Sequence, residues 1–506
     1  MRRVLTGAEK RAIDTYSIEV LEVPALTLME EAAVKLAGCA AGSCPADGRV
    51  LAVCGVGNNG GDGIAAARIL RGLGCEAEVL LLGKEEKATE QARTQLELAK
   101  EAGVGVFTEA APANRAGLLA GYDLLIDAVF GIGLSREVTG EYAAWIEAMN
   151  ASGRPVIAAD IPSGIDAGSG RVLGCAVRAA KTVTFGELLT GLLRYPGAEY
   201  AGEVLAVDIG FPEEACAQIP VNRVTYGRED LGRMPRRSPY SHKGTYGRVL
   251  VIAGSREISG AAYLAAKAAY RTGAGLVRIL THEANRTILG TLVPEALMTT
   301  YGDEIRADIP RIREAVSWAD VIVVGPGVGR GESGELLTRA ALQSGKPCVV
   351  DADSIYHLKR MGCGVPAQVI LTPHMKEMAE YAGGSVPEIA ADPEGFLRTH
   401  FPDGEGKIVL KDARTFVKDG QMVYINTSGN CGMATGGSGD VLAGIIGGLL
   451  AQKADPGEAA RLGVYLHGLA GDAAAAKRSR YGLMAGDLLE ALPEVLLEAE
   501  NVCDEG

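Results

Sequence analysis

Aromatic side chains, basic runs and long apolar stretches are all scarce in this sequence. Of its 506 residues 5% are aromatic, with 7 Phe and 2 Trp, and only 6 are His. Fifty Lys and Arg face 63 Asp and Glu, a net charge of −13, and no tract of five basic residues occurs. That balance excludes nucleic acid or an anionic membrane as the main partner. Apolar stretches such as 441–451 are too short and too rich in glycine to span a bilayer. The first ten residues lack a secretory apolar core. The ten cysteines form no CxxC pair, so they read as reduced thiols packed as small apolar residues in a cytoplasmic protein. Glycine, by contrast, is abundant. Its 68 residues are about 13% of the chain, against a background near 7%. They keep no every-third period, which excludes collagen, and they gather at the ends of short aliphatic runs, where a backbone turns or approaches a ligand.

The chain alternates strand and helix patterns twice. Arg49–Cys54, Glu78–Leu82, Leu124–Ala128, Val156–Ala159 and Lys181–Phe185 read as buried strands, with helical stretches at 24–37, Ile64–Leu73 and Ala88–Ala102. The segment 211–240, with Pro212, Pro220, Pro235 and Pro239, breaks the pattern. Strands then resume at Arg248–Ala253, Leu276–Leu280, Val321–Val324, Cys348–Asp351, Val369–Leu371 and Lys407–Lys411. Continuously apolar strands between helices imply parallel sheets covered on both faces. The expected fold is α/β in two domains, residues 1–215 and 236–500, joined by a linker at 216–235.

The strand at 49–54 runs into Gly55-Val-Gly-Asn-Asn-Gly-Gly-Asp-Gly63 and then a helix. Such a loop offers free amides to an anion at a helix start. The acidic residue expected after the next strand of a dehydrogenase is replaced by Leu81-Leu82-Gly83-Lys84, which disfavours hydride transfer. A tight turn with no ligand is the other reading. Asp127 and Asp160 end later strands, and ligands of open parallel sheets sit beyond such ends. Asn59, Asp127, Asp160 and Ser163 can therefore converge, and oxygen ligands of sparse charge suit a hard monovalent cation. Alternatively, each Asp caps a helix or turn.

Gly-Asn-Asn-Gly-Gly-Asp-Gly (57–63), Asp-Ala-Val-Phe-Gly-Ile-Gly-Leu (127–134) and Asp-Ile-Pro-Ser-Gly-Ile-Asp (160–166) together resemble the NAD(P)H-hydrate epimerase domain over about 1–215. The resemblance implies a Rossmann-like three-layer α/β/α sandwich. It also implies potassium held by Asn59, Asp127 and Ser163. Substrate would be held by Asn58, Asn59, Gly60, Gly61 and Asp62, by Gly131, Ile132, Gly133, Leu134, Ser135, Arg136 and Glu137, and by Asp160, which would be the acid/base. Ala33 stands where the family has Gly.

In the second half, Gly436-Gly437-Ser438-Gly439 leads to Asp440 at the start of an apolar helical stretch. Successive amides there form an anion nest, and a carboxylate beside it can take a proton from a substrate hydroxyl. An Asp N-cap after a flexible loop is the bland reading. The loop is similar to the anion hole of ribokinase-like kinases. Adding His-Lys-Gly-Thr-Tyr-Gly (242–247), Gly-Pro-Gly-Val-Gly (325–329), Asp-Ala-Asp-Ser (351–354), Leu-Thr-Pro-His-Met-Lys-Glu-Met-Ala (371–379) and Val-Leu-Lys-Asp-Ala-Arg-Thr (409–415), residues 236–500 resemble the ADP-dependent NAD(P)H-hydrate dehydratase family.

That resemblance implies a ribokinase-like α/β/α sandwich, with Ala262, Gly327 and His374 on the hydrate and Asp440 as base. Lys411, Asp412, Ala413, Arg414 and Thr415, with Gly436, Gly437, Ser438 and Gly439, would line the nucleotide site. Departures are Ser354-Ile355-Tyr356, Lys376, Asp412 and Cys431. Taken together, the resemblances imply a bifunctional lyase and isomerase acting on NADHX and NADPHX, with ADP as co-substrate and with K⁺ and Mg²⁺. A cytoplasmic homo-oligomer is expected. The rival is a ribokinase-like kinase of a sugar or vitamin precursor, fused to a non-catalytic nucleotide-binding domain.

Overall fold

The computed structural model describes residues 1–108, 115–362 and 364–505. The chain divides into two compact units, with the boundary between Val221 and Asn222. The 216–235 segment, expected as a linker, carries the strand Arg223–Thr225 and the 3₁₀ turn Arg228–Arg233.

In the first unit seven strands run parallel: β1 (Arg49–Cys54), β2 (Glu76–Leu81), β3 (Gly105–Thr108), β4 (Leu124–Ala128), β5 (Val156–Ala159), β6 (Lys181–Phe185) and β7 (Glu203–Val207). Their order across the sheet is β3-β2-β1-β4-β5-β6-β7. The period-2 alternation of β1 builds two cores. Val50, Ala52 and Cys54 pack with Leu36 and Ile64 from the helices Ala25–Ser43 and Asn58–Gly72. Leu51 and Val53 pack with Trp145 and Met149 of Gly140–Ala151. Three layers result.

The helix after β1 begins at Asn58, six residues earlier than the sequence pattern places it. The glycines of its first turns serve close packing. A Cβ at Gly60 would lie 1.8 Å from the Gly55 carbonyl oxygen, and one at Gly63 would lie 2.4 Å from the Ala128 Cβ.

The second unit holds β8 (Arg223–Thr225), β9 (Arg248–Ile252), β10 (Leu276–His282), β11 (Leu297–Tyr301), β12 (Val321–Val324), β13 (Cys348–Val350), β14 (Val369–Leu371), β15 (Lys407–Leu410), β16 (Phe416–Asp419) and β17 (Met422–Ile425). Their order is β11-β10-β9-β12-β13-β14-β15-β16-β17-β8. All pairings are parallel except those of β16, which is antiparallel to both neighbours. Val249 and Val251 face a core shared with the helices Gly260–Thr272, Ser438–Ala451, Pro456–Arg478 and Ala485–Glu505. The opposite face is covered by Ile309–Trp318 and Glu332–Gln343.

Nine described cysteines are free thiols, but only Cys54 and Cys348 are fully buried and Cys431 is exposed, so the expectation of core packing holds for two of them. No helix among the described residues is long and apolar enough to cross a membrane.

Candidate active sites

The first unit carries a cavity of about 710 Å³ at the C-terminal ends of its strands, where β1 and β4 each hand over to a loop. Of the expected substrate residues, Asn58, Asn59, Asp62, Asp160 and the run from Gly131 to Arg136 line it. Gly60 and Gly61 are buried behind it as packing positions, and Glu137 is exposed outside the lining.

Asp160 follows β5 in the left-handed region, at φ 66°, a strained conformation for a non-glycine residue. Three donors hold it, the Lys10 ammonium, the Thr184 hydroxyl at 3.1 Å and the Phe185 N–H at 3.2 Å, and all of them bind Oδ1. None of these three bonds engages Oδ2, and Asp160 lines the cavity. Lys10 is itself 3% exposed. It belongs to the helix Gly7–Thr15, whose buried positions are Gly7, Lys10 and Ile13.

Two further carboxyls line the same space. Burial pushes Asp14 up to about 6, with Lys10 opposing and Asp160 adding to the rise. Burial also drives Asp62 well above the usual carboxylate range, aided by the charge of Asp160. Lys10 and Asp14 were not singled out from the sequence. The available signal was a lysine three residues from Ile13 on an otherwise apolar stripe.

Asp127, at the end of β4, is wholly buried. Its Oδ1 accepts the Ser163 hydroxyl at 2.6 Å and its Oδ2 accepts the Ser163 N–H at 2.7 Å. The Phe130 N–H donates to the Ser163 oxygen at 2.8 Å. Burial raises the Asp127 carboxyl to about 6 although the Ser163 and Val129 bonds oppose it. Asn59 packs on the loop after β4, since a Cβ at Gly131 would lie 3.0 Å from its Oδ1. Its Nδ2 is buried without a hydrogen-bond partner. That nitrogen is a donor and could not ligate a cation; the oxygens beside it, of the Asp127 carboxylate, the Ser163 hydroxyl and the Asn59 amide, are the donor set of a hard cation rather than of zinc.

In the second unit the helix Ser438–Ala451 starts two residues before Asp440, after Gly437 in the left-handed region at φ 91°. Asp440 thus sits in the first turn, where helix amides favour negative charge. Burial lifts its carboxyl to about 7, with Asp351 adding to the rise and Lys411 opposing it. Lys411 Nζ donates to Asp351 Oδ1 at 2.8 Å, and the Thr372 hydroxyl donates to the same oxygen at 2.8 Å. A Cβ at Gly439 would lie 3.1 Å from Lys411 Nζ, so the ammonium reaches the glycine loop. Ser438 is held from behind by His467, whose Nε2 is 2.9 Å from the Ser438 carbonyl oxygen. Burial pushes that imidazole down to about 4, which leaves it neutral near pH 7 as a donor. His467 thus supports this loop.

The remaining expected residues are placed unevenly. Ala262 is buried on the helix Gly260–Thr272, and a Cβ at Gly327 would lie 2.7 Å from Ile258, just before that helix. His374 caps Met375–Ala382. Its Nδ1 accepts the N–H of Lys376 at 3.1 Å and of Glu377 at 3.2 Å, and its side chain is 52% exposed. It pairs with Lys411 through a parallel bridge. Asp412 and Ala413 are exposed, while the Arg414 guanidinium donates to the Thr427 carbonyl and the Thr415 hydroxyl to that of Asp412. Tyr356 stacks beneath Arg330, 4.6 Å from its ring centre, and its hydroxyl accepts from Arg360.

Both halves of the chain match known families. Residues 249–494 match the family described as NAD(P)H-hydrate dehydratase, and residues 25–191 match the YjeF-related protein N-terminus. The bifunctional NAD(P)H-hydrate repair enzyme of Moorella thermoacetica is 38% identical over 98% of this chain and 97% of its own. The enzyme of the same description from Escherichia coli is 35% identical over 88% of this chain and 84% of its own. Among solved structures, a hypothetic protein of Streptococcus mutans matches 55% of this chain and 99% of its own length, at 32% identity and a TM-score of 0.50.

Proposed function

The chain belongs to the bifunctional NAD(P)H-hydrate repair enzymes, an epimerase unit followed by a dehydratase unit, and from that premise we propose how its residues carry the two steps. Water added across a ring double bond of NAD(P)H leaves a hydroxyl on the carbon beside the ring nitrogen, in two epimers. In the first unit Asp160 exchanges a proton with that hydroxyl and interconverts them. In the second, Asp440 takes the hydroxyl proton of the S epimer while the oxygen attacks the terminal phosphorus of ADP, releasing AMP. The phosphate ester then leaves as inorganic phosphate, a neighbouring ring proton is lost, and NAD(P)H returns.

The observation that carries this reading is the Asp440 carboxyl, held up to about 7 in the first turn of Ser438–Ala451 with the Lys411 ammonium beside the same glycine loop. A base poised near the working pH is efficient in both directions. Gly436, Gly437, Ser438 and Gly439 would take the phosphate, and the run from Lys411 to Thr415 the rest of the nucleotide. Ala262, Gly327 and His374 would contact the hydrate. Asn58 to Asp62 and Gly131 to Glu137 would hold it in the first unit.

Potassium would be held by Asn59, Asp127 and Ser163, supplying a fixed positive charge beside the epimerase substrate. Magnesium would neutralise phosphate charge in the second unit. No cluster of three or more His, Cys, Asp or Glu exists among the described residues to hold a metal unaided, which suits an ion carried largely by substrate phosphates. A cytoplasmic homo-oligomer belongs to the same reading. Self-association is supported by Val20, Leu26 and Val34 of the first unit, which are 37–57% exposed.

The test is recovery of NADH absorbance from mixed hydrate epimers with ADP and Mg²⁺. The full-length chain should return all of the hydrate to NADH. Asp440→Asn should return none, and Asp160→Asn should become biphasic, limited by spontaneous epimerisation. Accumulation of a stable phosphorylated product would favour the kinase reading instead.

A further inference from the structure

We infer that Lys10 is a second catalytic residue of epimerisation, the proton donor to the ring nitrogen as Asp160 takes the hydroxyl proton. The inference rests on the epimerase reading of the first unit.

The substrate's hydroxyl and ring nitrogen share one carbon, a carbinolamine. Inverting that carbon by ring opening moves two protons at adjacent atoms. The hydroxyl proton goes to Asp160 Oδ2, the C–O bond becomes a carbonyl, and the carbon–nitrogen electron pair returns to the nitrogen, which takes a proton from Lys10. Rotation about the bond to the neighbouring ring carbon presents the other carbonyl face. Closure then runs the same transfers in reverse, restoring the Asp160 carboxylate and the Lys10 ammonium, so no co-reactant is consumed.

The two transfers take place at atoms bonded to one carbon, so the acid and the base must sit side by side. Of all the titratable side chains that line the cavity, Arg11, Glu19 and Arg136 included, only Lys10 is hydrogen-bonded to Asp160 among the described residues. Thr184 and the Phe185 N–H bind the same Oδ1 but hold no proton to spare at neutral pH. Stability does not account for the lysine. Burying an ion pair costs desolvation on both partners, and an apolar side chain beside Gly7 and Ile13 would fill the stripe more cheaply.

Epimerase turnover is read from pure R epimer in the full-length chain, with dehydration of the S epimer as the control. Lys10→Met should lower kcat for the R epimer by roughly 100-fold or more, the usual share of a general acid, with KM little changed and S-epimer dehydration unaffected. Lys10→Arg keeps the ion pair, but its guanidinium does not surrender its proton, so it should be as slow as Lys10→Met. Near-wild-type turnover in either variant would overturn the inference, and so would a loss confined to KM. Asp160→Asn separates the two levels. If it epimerises normally, the epimerase reading itself fails. If it is inactive while Lys10→Met is not, only the role of Lys10 fails.

Discussion

At the residue scale, what decides the chemistry is the protonation state that each carboxyl is given by its surroundings. In the proposed role of base Asp440 must be ionised, and burial followed by the charge of Asp351 holds its carboxyl up to about 7. The dehydratase kcat/KM should therefore climb about tenfold per pH unit below pH 7 and level off above it. Asp351→Asn removes one raising cause, so the rising limb should move to lower pH. A limb unmoved near the ordinary carboxylate range, measured by initial rates across pH, would remove Asp440 from the role of base. At Asp127 the prediction concerns the ion. Replacing K⁺ with a large organic cation should slow R-epimer turnover and leave S-epimer dehydration unchanged. Asp127→Asn should abolish that cation dependence. None of these states is readable from residue identity, because an aspartate at a strand end is ionised or protonated according to what buries it.

At the element scale, the two glycine-rich starts turn out to do different work from what their composition suggests. Asn58–Gly72 begins inside the first glycine run, and its glycines let its backbone meet the Gly55 backbone and the Ala128 side chain. In Ser438–Ala451 the glycines continue into the helix, where Gly444 and Gly448 fit against Ala265 and Ala269 of Gly260–Thr272. Gly444→Ala would place a Cβ 2.3 Å from the Ala265 carbonyl oxygen. We expect it to cost about 1–3 kcal/mol by overpacking, seen as a lower urea midpoint, and to slow dehydration, because Asp440 rides on the same helix. His374→Ala should cost about 1 kcal/mol through the lost cap on Met375–Ala382. If His374 also touches the hydrate, KM rises with it; a stability loss at unchanged KM would leave it a cap alone. The hairpin of β16 and β17 was passed over although Asp419-Gly420 between alternating apolar residues signals it. The strands at 49–54, 124–128, 156–159, 181–185, 321–324 and 369–371 were legible to the residue, because continuous aliphatic runs between helices have few other readings.

At the scale of the whole molecule, the two carboxylates proposed as catalytic belong to separate units, Asp160 in 2–221 and Asp440 in 222–506. A mixture of Asp160→Asn and Asp440→Asn chains should therefore restore full recovery of NADH from mixed epimers, each chain supplying the step the other lacks. Failure to complement, with each single variant still performing its remaining step, would mean that substrate is passed within one chain. The sequence by itself determined the family, the α/β class of both halves and the positions of the motif residues, because several motifs stand together in one order, where any single glycine loop or strand-end aspartate has ordinary structural uses. Only the tertiary structure decided which of those residues meet. Lys10 reaches Asp160 across 150 positions of chain, and His467 steadies the loop that Asp440 follows. Burial, which no local pattern encodes, raised the Asp440 carboxyl and lowered the His467 imidazole.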